Sequence, residues 1–417
     1  MAQPWIKNQW YSSPHTFSAE VQQGLRFPDK IELLDLSLDE NGEGMSGAHL
    51  TEDQKLTIAG LLDDLGVHRI GILGYPPRVT PDEVDQLKIE VAAAKRVAKT
   101  VKKARLVALS STREDIDRAA ECGASQVIIR QYLSHVQDIT PESNAEKIEN
   151  FLALASHARS HGLSVAMLAQ GITRADVSDI RAILSTIDRE GLLDEVCLTD
   201  THGVGTPQGL HYLVSFIRQF LKAPIQVHCH NHLGLGVANA CLAASAGAGI
   251  IHTTIHGLGH FAGLAALEEV TAALQVGYGV DLRLNLEGLF ELSQLFQRFT
   301  GIEMPPHKPV VGMRAFVMAN DAFYNKLNMD RAKGGVPKIN VLPFLPEVVG
   351  NRERVFLGEG LTREAVQWNI QLEGLSSSET QVDLIHASIM ELVRRKEGPA
   401  TDAEFRSVVE AILAGTE

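Results

Sequence analysis

The sequence predicts an α/β fold, a (β/α)8 TIM barrel followed by a mostly helical C-terminal subdomain. Three observations lead to this prediction. Eight short apolar segments alternate with long amphipathic segments between residues 31 and 255, which is the pattern of parallel βα units. Polar residues follow the apolar segments, as at the C-terminal face of a barrel. Beyond residue 300 the alternation ends, and a proline-rich segment precedes three helical ones.

The predicted strands are short apolar runs bounded by turn residues. They are Ile31–Leu34, Arg69–Leu73, Leu106–Ser110, Gln126–Ile129, Ser164–Leu168, Glu195–Leu198, Ile225–His230 and Ile250–Ile255. The predicted helices include Thr51–Leu65, Pro81–Thr100, Thr112–Cys122, Ser143–His161, Gly236–Ala246, Thr362–Ile370, Ser376–Lys396 and Ala400–Ala414. Thr51 and Thr112 each precede an acid or amide by three positions, which is the signature of a capping box.

The pattern divides the chain into an N-terminal extension (1–30), a barrel (31–300), a linker subdomain (301–345) and a helical subdomain (346–417). The 417 residues, 45% hydrophobic and 21% charged, suffice for this arrangement. A net charge of −13 argues against nucleic acid or an anionic membrane as the partner. No apolar segment resembles a signal core or spans a bilayer. The four cysteines lack metal-type spacing, so we expect a cytoplasmic protein with free buried thiols.

The stretch Gln226–His232 carries the strongest functional signal. His228 and His230 are two positions apart on a predicted strand, so their side chains share one face while Cys229 points to the other. Neutral imidazole is the commonest protein ligand for metal ions, and six of the 16 histidines lie between residues 228 and 260. We therefore predict a divalent metal site that includes His228, His230 and His256. The alternative is a set of hydrogen-bonded structural histidines.

A second group of polar residues follows the predicted strands and suits a small-molecule carboxylate substrate. These substrate-binding candidates are Arg130, Thr173, Arg174, Asp200 and Thr201. A guanidinium pairs with a carboxylate through two parallel hydrogen bonds, although a structural ion pair is the alternative for each arginine. Asp200 and Thr201 could instead cap the helix that begins near Pro207.

The segment His228–Asn239, HCHNHLGLGVAN, resembles the His-x-His-Asn-Asp-x-Gly run of the isopropylmalate and homocitrate synthases. These enzymes belong with hydroxymethylglutaryl-CoA lyase to the DRE-TIM metallolyase superfamily. Gly42–Ala48 resembles their first loop, and Val348–Gly350 and Arg363–Val366 resemble their helical subdomain. The resemblance implies a metal-dependent enzyme, acyltransferase-like or lyase-like, that forms or cleaves a carbon–carbon bond next to a carboxylate or 2-oxo acid. It also implies a homodimer, and acyl-CoA as a co-substrate whose use stays open.

Three positions that define the superfamily carry other residues in this chain. The family has an Arg and a metal-binding Asp in the first loop and a Glu on the second strand. When the sequences are aligned on Gly42, these positions fall on Glu40, Asn41 and Ile72. A one-residue insertion in the loop leaves Asp39 as a further alternative. The resemblance thus implies a metal ligand among Asp39, Glu40 and Asn41.

Two later family positions, an Asn and a Glu, are His256 and His260 here. The catalytic candidates are Glu40, His202, His260 and Arg174. A donor set this rich in nitrogen favours Zn, Mn, Fe or Co over Mg. The linker His and Glu of the synthases are also replaced, in the segment 318–321. Two rival functions stay open, namely a non-haem iron enzyme that uses oxygen and a non-catalytic binding or regulatory homologue.

Overall fold

The computed structural model describes residues 4–6, 9–40, 49–74, 81–134, 142–318 and 342–414. Contacts between residues divide the chain into two compact units. One runs from Pro14 to Met304, and the other joins Gln3–Ser13 to Pro305–Glu417. The four segments drawn from the sequence, with boundaries after residues 30, 300 and 345, stay a prediction.

The first unit contains a closed barrel of eight parallel strands, which confirms the predicted fold class. The strands are β1 (Glu32–Asp35), β2 (Arg69–Leu73), β3 (Arg105–Ser110), β4 (Gln126–Tyr132), β5 (Ser164–Gln170), β6 (Glu195–Asp200), β7 (Ile225–Cys229) and β8 (Ile250–Thr253). Pairing of β8 with β1 closes the barrel, with Ile250 opposite Glu32 and Thr253 opposite Asp35. The sequence pattern places Arg130 just after its strand. In the structure β4 extends to Tyr132, so Arg130 lies within the strand.

Helices follow the strands along the first unit. They are α1 (Ala19–Gln22), α2 (Ser37–Glu40), α3 (Glu52–Leu65), α4 (Pro81–Thr100), α5 (Arg113–Glu121), α6 (Asn144–Ser160), α7 (Val177–Arg189), α8 (Pro207–Ile217), α9 (Gly236–Ser245), α10 (Leu267–Ala272) and α11 (Leu289–Thr300). Short helical turns occupy Ile172–Arg174, Ile255–Gly257, Ala273–Gly277 and Leu286–Gly288.

Local sequence explains where several of these helices begin and end. Thr51 and Thr112 form the predicted capping boxes, in which each hydroxyl accepts a backbone N–H three residues on and the residue there bonds back. Helix α3 ends at Gly66, which has a φ of +86°. Glycine adopts this left-handed conformation without the steric clash that a Cβ atom would cause.

The barrel interior combines an apolar layer with a column of polar side chains. The apolar layer consists of Leu34, Leu36, Val107, Leu109, Ile128, Ala166, Leu168, Cys197 and Ile250, all buried. Burial of such side chains is the main favourable term in folding. The four cysteines are free and buried, as expected.

The second unit is mostly helical, as predicted. Its helices are α12 (Arg363–Leu372), α13 (Glu379–Lys396) and α14 (Asp402–Ala414), and a helical turn covers Pro346–Val349. Val366, Ile385, Ile389 and Phe405 lie in the core of this unit. The short strands Val317–Met318 and Arg354–Val355 pair in parallel, and Trp5–Ile6 pairs with Trp10–Tyr11. None of the described helices combines the length and apolar character needed to cross a membrane.

Candidate active site at the barrel mouth

The structure brings His228 and His230 together at the C-terminal end of β7. Their side chains are almost fully buried, and their ring centroids are 5.0 Å apart. Burial, followed by the charges of His230, His252 and His260, lowers the pKa of His228 well below its usual value. The His228 ring is therefore neutral at pH 7, which is the form that binds a metal ion.

A chain of hydrogen bonds inside the barrel fixes the tautomer of His228. The amide nitrogen Nε2 of Gln226 donates to the carboxylate of Glu195, so the other end of that amide, Oε1, is an acceptor. Nε2 of His252 lies 2.6 Å from this Oε1 and must carry the proton. Burial lowers the pKa of His252 to about 3, so its Nδ1 holds a lone pair.

The Nδ1 atom of His228 lies 3.2 Å from the Nδ1 atom of His252. Because His252 Nδ1 is an acceptor, His228 donates from Nδ1 and its Nε2 holds the lone pair. A hydrogen bond on one ring nitrogen commonly sets which nitrogen of a metal-ligating histidine is available. The tautomer imposed here is the one in which His228 Nε2 is free to act as a ligand.

Arg69 anchors this chain of side chains at the opposite end of the barrel. Its guanidinium donates to both carboxylate oxygens of Glu195, at 2.6 and 3.0 Å, and to Glu32 at 2.6 Å. Burial acts to raise the pKa of Glu195, but the hydrogen bonds and charge of Arg69 outweigh it and lower that pKa. We call Arg69, Glu195, Gln226, His252 and His228 the polar column.

Further aromatic and imidazole rings surround the His228–His230 pair. The ring of Phe261 lies 5.9 Å from His230 and 5.6 Å from His260, centroid to centroid. Phe261 is 74% exposed. His260, a predicted catalytic residue, therefore lies at this site, although its catalytic role stays a prediction.

The structure places the side chain of His256 in another set of contacts. Its Nε2 atom lies 2.6 Å from the hydroxyl of Ser293, and its ring packs edge-on against Phe296, both on α11. The backbone at His256 is left-handed, with φ of 60°. Among the described residues, His256 does not join His228 and His230 in a group whose ligand atoms all lie within 4.8 Å. Its predicted role as a ligand stays a prediction.

The first-loop candidates are only partly visible. Helix α2 ends at Glu40, whose side chain, like Asn41, lies outside the described residues. Asp39 is buried, and its Cβ would lie 3.5 Å from a Cβ built on Gly71 of β2. Asp35, at the end of β1, is also fully buried. Burial raises the pKa of Asp35 to about 7, and the charge of Glu268 adds to this effect.

Most of the substrate-binding candidates join the loops after β5 and β6. Thr173 Oγ1 donates to Asp200 at 2.8 Å, and Thr201 Oγ1 accepts the backbone N–H of Gly171 at 2.8 Å. Asp200 also accepts the backbone N–H of Gly205. Helix α8 is capped by Thr206, so the capping alternative for Asp200 and Thr201 is wrong.

The remaining candidates carry charge or a ring that can titrate. Burial, followed by the positive charge of Arg174, lowers the pKa of His202. His202 is therefore a neutral base at pH 7 with a cation nearby. The guanidinium carbon of Arg130 lies 5.9 Å from the ring centroid of Tyr132, within cation–π range.

The family comparison agrees with this architecture. The HMGL-like family model matches residues 30–296. The chain belongs to the HMGL-like family. It is 34% identical to a homocitrate synthase AksA of Methanopyrus kandleri, covering 94% of this chain and 95% of that protein. It is 30% identical to a 2-isopropylmalate synthase of Methanocaldococcus jannaschii, covering 97% of this chain and 76% of that protein. These findings confirm the resemblance drawn from the sequence and place the chain in a family of enzymes.

A solved hydroxymethylglutaryl-CoA lyase of Pseudomonas aeruginosa shares the fold. Its TM-score is 0.56 at 20% identity, and the match covers 69% of this chain and 97% of that one.

Sequence reasoning missed the polar column that lies behind His228. Arg69 and Glu195 are 126 positions apart, and each is the first residue of its strand. A charged residue that opens an apolar strand was the available signal, but nothing in the sequence pairs one such residue with another.

Proposed function

We propose that this chain is a metal-dependent enzyme that forms a carbon–carbon bond next to a carboxylate or 2-oxo acid, by acyl transfer. The observation that carries the proposal is the His228–His230 pair at the barrel mouth, with the lone pair of His228 fixed on Nε2 by His252. The tautomer fixed in this way leaves the Nε2 lone pair of His228 available to a metal ion.

The residues present fit a divalent metal ion. His228 and His230 would hold it, and the first loop would supply an oxygen ligand from Asp39, Glu40 or Asn41. Two imidazoles with few carboxylates favour Zn, Mn, Fe or Co over Mg. When bound, such an ion acts as a Lewis acid on a substrate oxygen.

The neighbouring side chains supply the other requirements of this chemistry. Arg130 and Arg174 would hold a substrate carboxylate by charge-assisted hydrogen bonds. His202 is neutral at pH 7, because burial and Arg174 lower its pKa, and would accept a proton. His260, beside the exposed Phe261, would exchange protons at the rim.

The extent of the sequence matches supports acyl transfer. The synthases match this chain over 94–97% of its length, including the helical subdomain. The second-strand position where the family has a Glu is Ile72, which is buried on β2.

The test combines metal analysis with a thiol-release assay on the purified full chain. Acetyl-CoA is offered with a panel of 2-oxo acids, and free thiol is detected with a thiol-reactive dye. We expect thiol release that requires both substrates, that stops on chelation and that returns when metal is added back. His228→Gln should abolish it, and the matched control His15→Gln, at an exposed site, should not.

Each contrary outcome overturns a defined part of the proposal. No thiol release across the panel from the metal-loaded chain would overturn acyl transfer. Stoichiometric iron with substrate-dependent oxygen uptake would replace it with the oxygen-using alternative. If the wild type and His228→Gln had the same metal content, the ion would not bind at the mouth. That outcome would favour a non-catalytic homologue.

A further inference from the structure

A second group of metal-binding side chains lies in the outer helical layer of the barrel unit. His157 and His161 are one helical turn apart at the C-terminal end of α6, with ring centroids 5.0 Å apart. Asp117 reaches them from α5. Among the described residues, these three form the one group of His, Cys, Asp or Glu whose ligand atoms all lie within 4.8 Å of one another.

In this group two N–H protons point at one carboxylate oxygen, in the space that a metal ion would occupy between the same three side chains. Oδ1 of Asp117 lies 2.7 Å from Nε2 of His157 and 2.9 Å from Nε2 of His161. A carboxylate cannot donate, so both imidazoles carry a proton on Nε2 and aim it at the same oxygen. The hydrogen bond and charge of His157 lower the pKa of Asp117, which keeps the carboxylate ionised.

The rearrangement needed to admit an ion is small. Zinc–nitrogen and zinc–oxygen bonds of about 2.1 Å at tetrahedral angles place donor atoms about 3.4 Å apart. The two carboxylate–imidazole distances, 2.7 and 2.9 Å, would therefore lengthen by only about 0.5–0.7 Å. The three side chains are 47%, 20% and 36% exposed, in the order Asp117, His157, His161, so solvent can reach the fourth position.

We propose that Asp117, His157 and His161 bind one transition-metal ion of the Zn2+ class, with water as the fourth ligand. Each ring gives up its Nε2 proton to solvent and carries its proton on Nδ1 instead, so that both bind the ion as neutral imidazoles and the ion joins α5 to α6. This site uses none of the residues assigned to the mouth, so it does not depend on the proposed function. Because the ion binds only the folded chain, its binding stabilises the barrel unit.

The test titrates ZnCl2 into chelator-treated full-length chain by calorimetry. To isolate the outer site, the background is a variant with His228→Gln and His230→Gln. We expect this background to bind one equivalent of Zn2+. Adding His157→Gln or His161→Gln should weaken binding at least about 100-fold, since losing even an indirect partner of a ligand costs 10–100-fold.

Two further readouts make the result decisive. Co2+ should give ligand-field absorption in the background variant and lose it with Asp117→Asn, while His15→Gln should leave the spectrum unchanged. The variants are compared only after circular dichroism shows that they are folded without metal. Zn2+ affinity or Co2+ absorption that is the same with and without His157, His161 and Asp117 would overturn the proposal.

Discussion

His252 acts on the site through His228, and this role can be separated from simple packing. His252→Leu removes the acceptor at Nδ1, so His228 loses the partner that holds its proton. We expect His228 to become a mixture of tautomers in the metal-free chain. The measurement is a 1H–15N correlation spectrum of protein labelled with 15N-histidine. Zn2+ affinity at the mouth, measured by competition with a chelating dye, should fall about 10–100-fold.

His252→Asn is the matched control because an amide oxygen can accept a hydrogen bond near the Nδ1 position. We expect it to restore most of the affinity and the single tautomer. If both variants kept one His228 tautomer, the column would not control it. Because the spectra need no bound ion, this result is independent of whether the enzyme carries out acyl transfer.

At the scale of elements, Arg69 of the polar column joins the first residues of three strands, because it donates to Glu32 of β1 and to Glu195 of β6. Arg69→Leu would leave the carboxylate of Glu195 buried without its cation. Loss of one partner of a buried pair costs about 3–5 kcal/mol, and urea denaturation should show this loss at pH 7. Arg189→Leu, an exposed arginine on α7, should change stability by less than about 0.5 kcal/mol.

The same ion pairs set the direction of the pH dependence. The pKa of Glu32 is lowered to about 2, because Lys30 and Arg69 outweigh burial, and the pKa of Glu195 is also lowered. Such groups stabilise the fold above the ordinary carboxylate pKa, and this contribution is lost as the pH falls. The wild type should therefore lose stability below about pH 5, and Arg69→Leu should lose much less. If the free energy of unfolding fell with pH equally in the wild type and in Arg69→Leu, this account would be contradicted.

The elements that could be predicted from the sequence are those determined by local pattern. Alternating apolar and amphipathic segments identified all eight barrel strands, and Thr51 and Thr112 marked helix starts. The two-residue spacing of His228 and His230 placed both rings together. The partners of these residues could not be predicted, because β6, β7 and β8 bring Glu195, Gln226 and His252 together only when the barrel closes.

His256 shows the limit of placing a residue by its position after a strand. The sequence located it correctly beyond β8, but the direction of its ring depends on a left-handed backbone and on Ser293, which is 37 positions further on. His157 and His161 are four residues apart on a predicted helix, a spacing that the sequence analysis did not use. Asp117 lies on the preceding helix, and nothing in the sequence links it to them.

At the scale of the whole molecule, the two units differ in which relatives they match. The family model matches residues 30–296, within the first unit, and the solved lyase matches 69% of this chain and 97% of its own. The synthases match the second unit as well. The homodimer stays a prediction, which light scattering on the purified chain would check.

A fragment of residues 14–304 tests whether folding, Zn2+ binding and thiol release need only the first unit or both units. The barrel closes through β8 and β1 within this fragment, so we expect cooperative urea unfolding and retained Zn2+ binding at the mouth and at Asp117, His157 and His161. Thiol release should fall at least about 100-fold, a loss of roughly 2.7 kcal/mol of transition-state stabilisation, because the synthases match the second unit as well as the barrel. A fragment with full activity would place the whole reaction in the barrel, and an unfolded one would contradict the division at Met304.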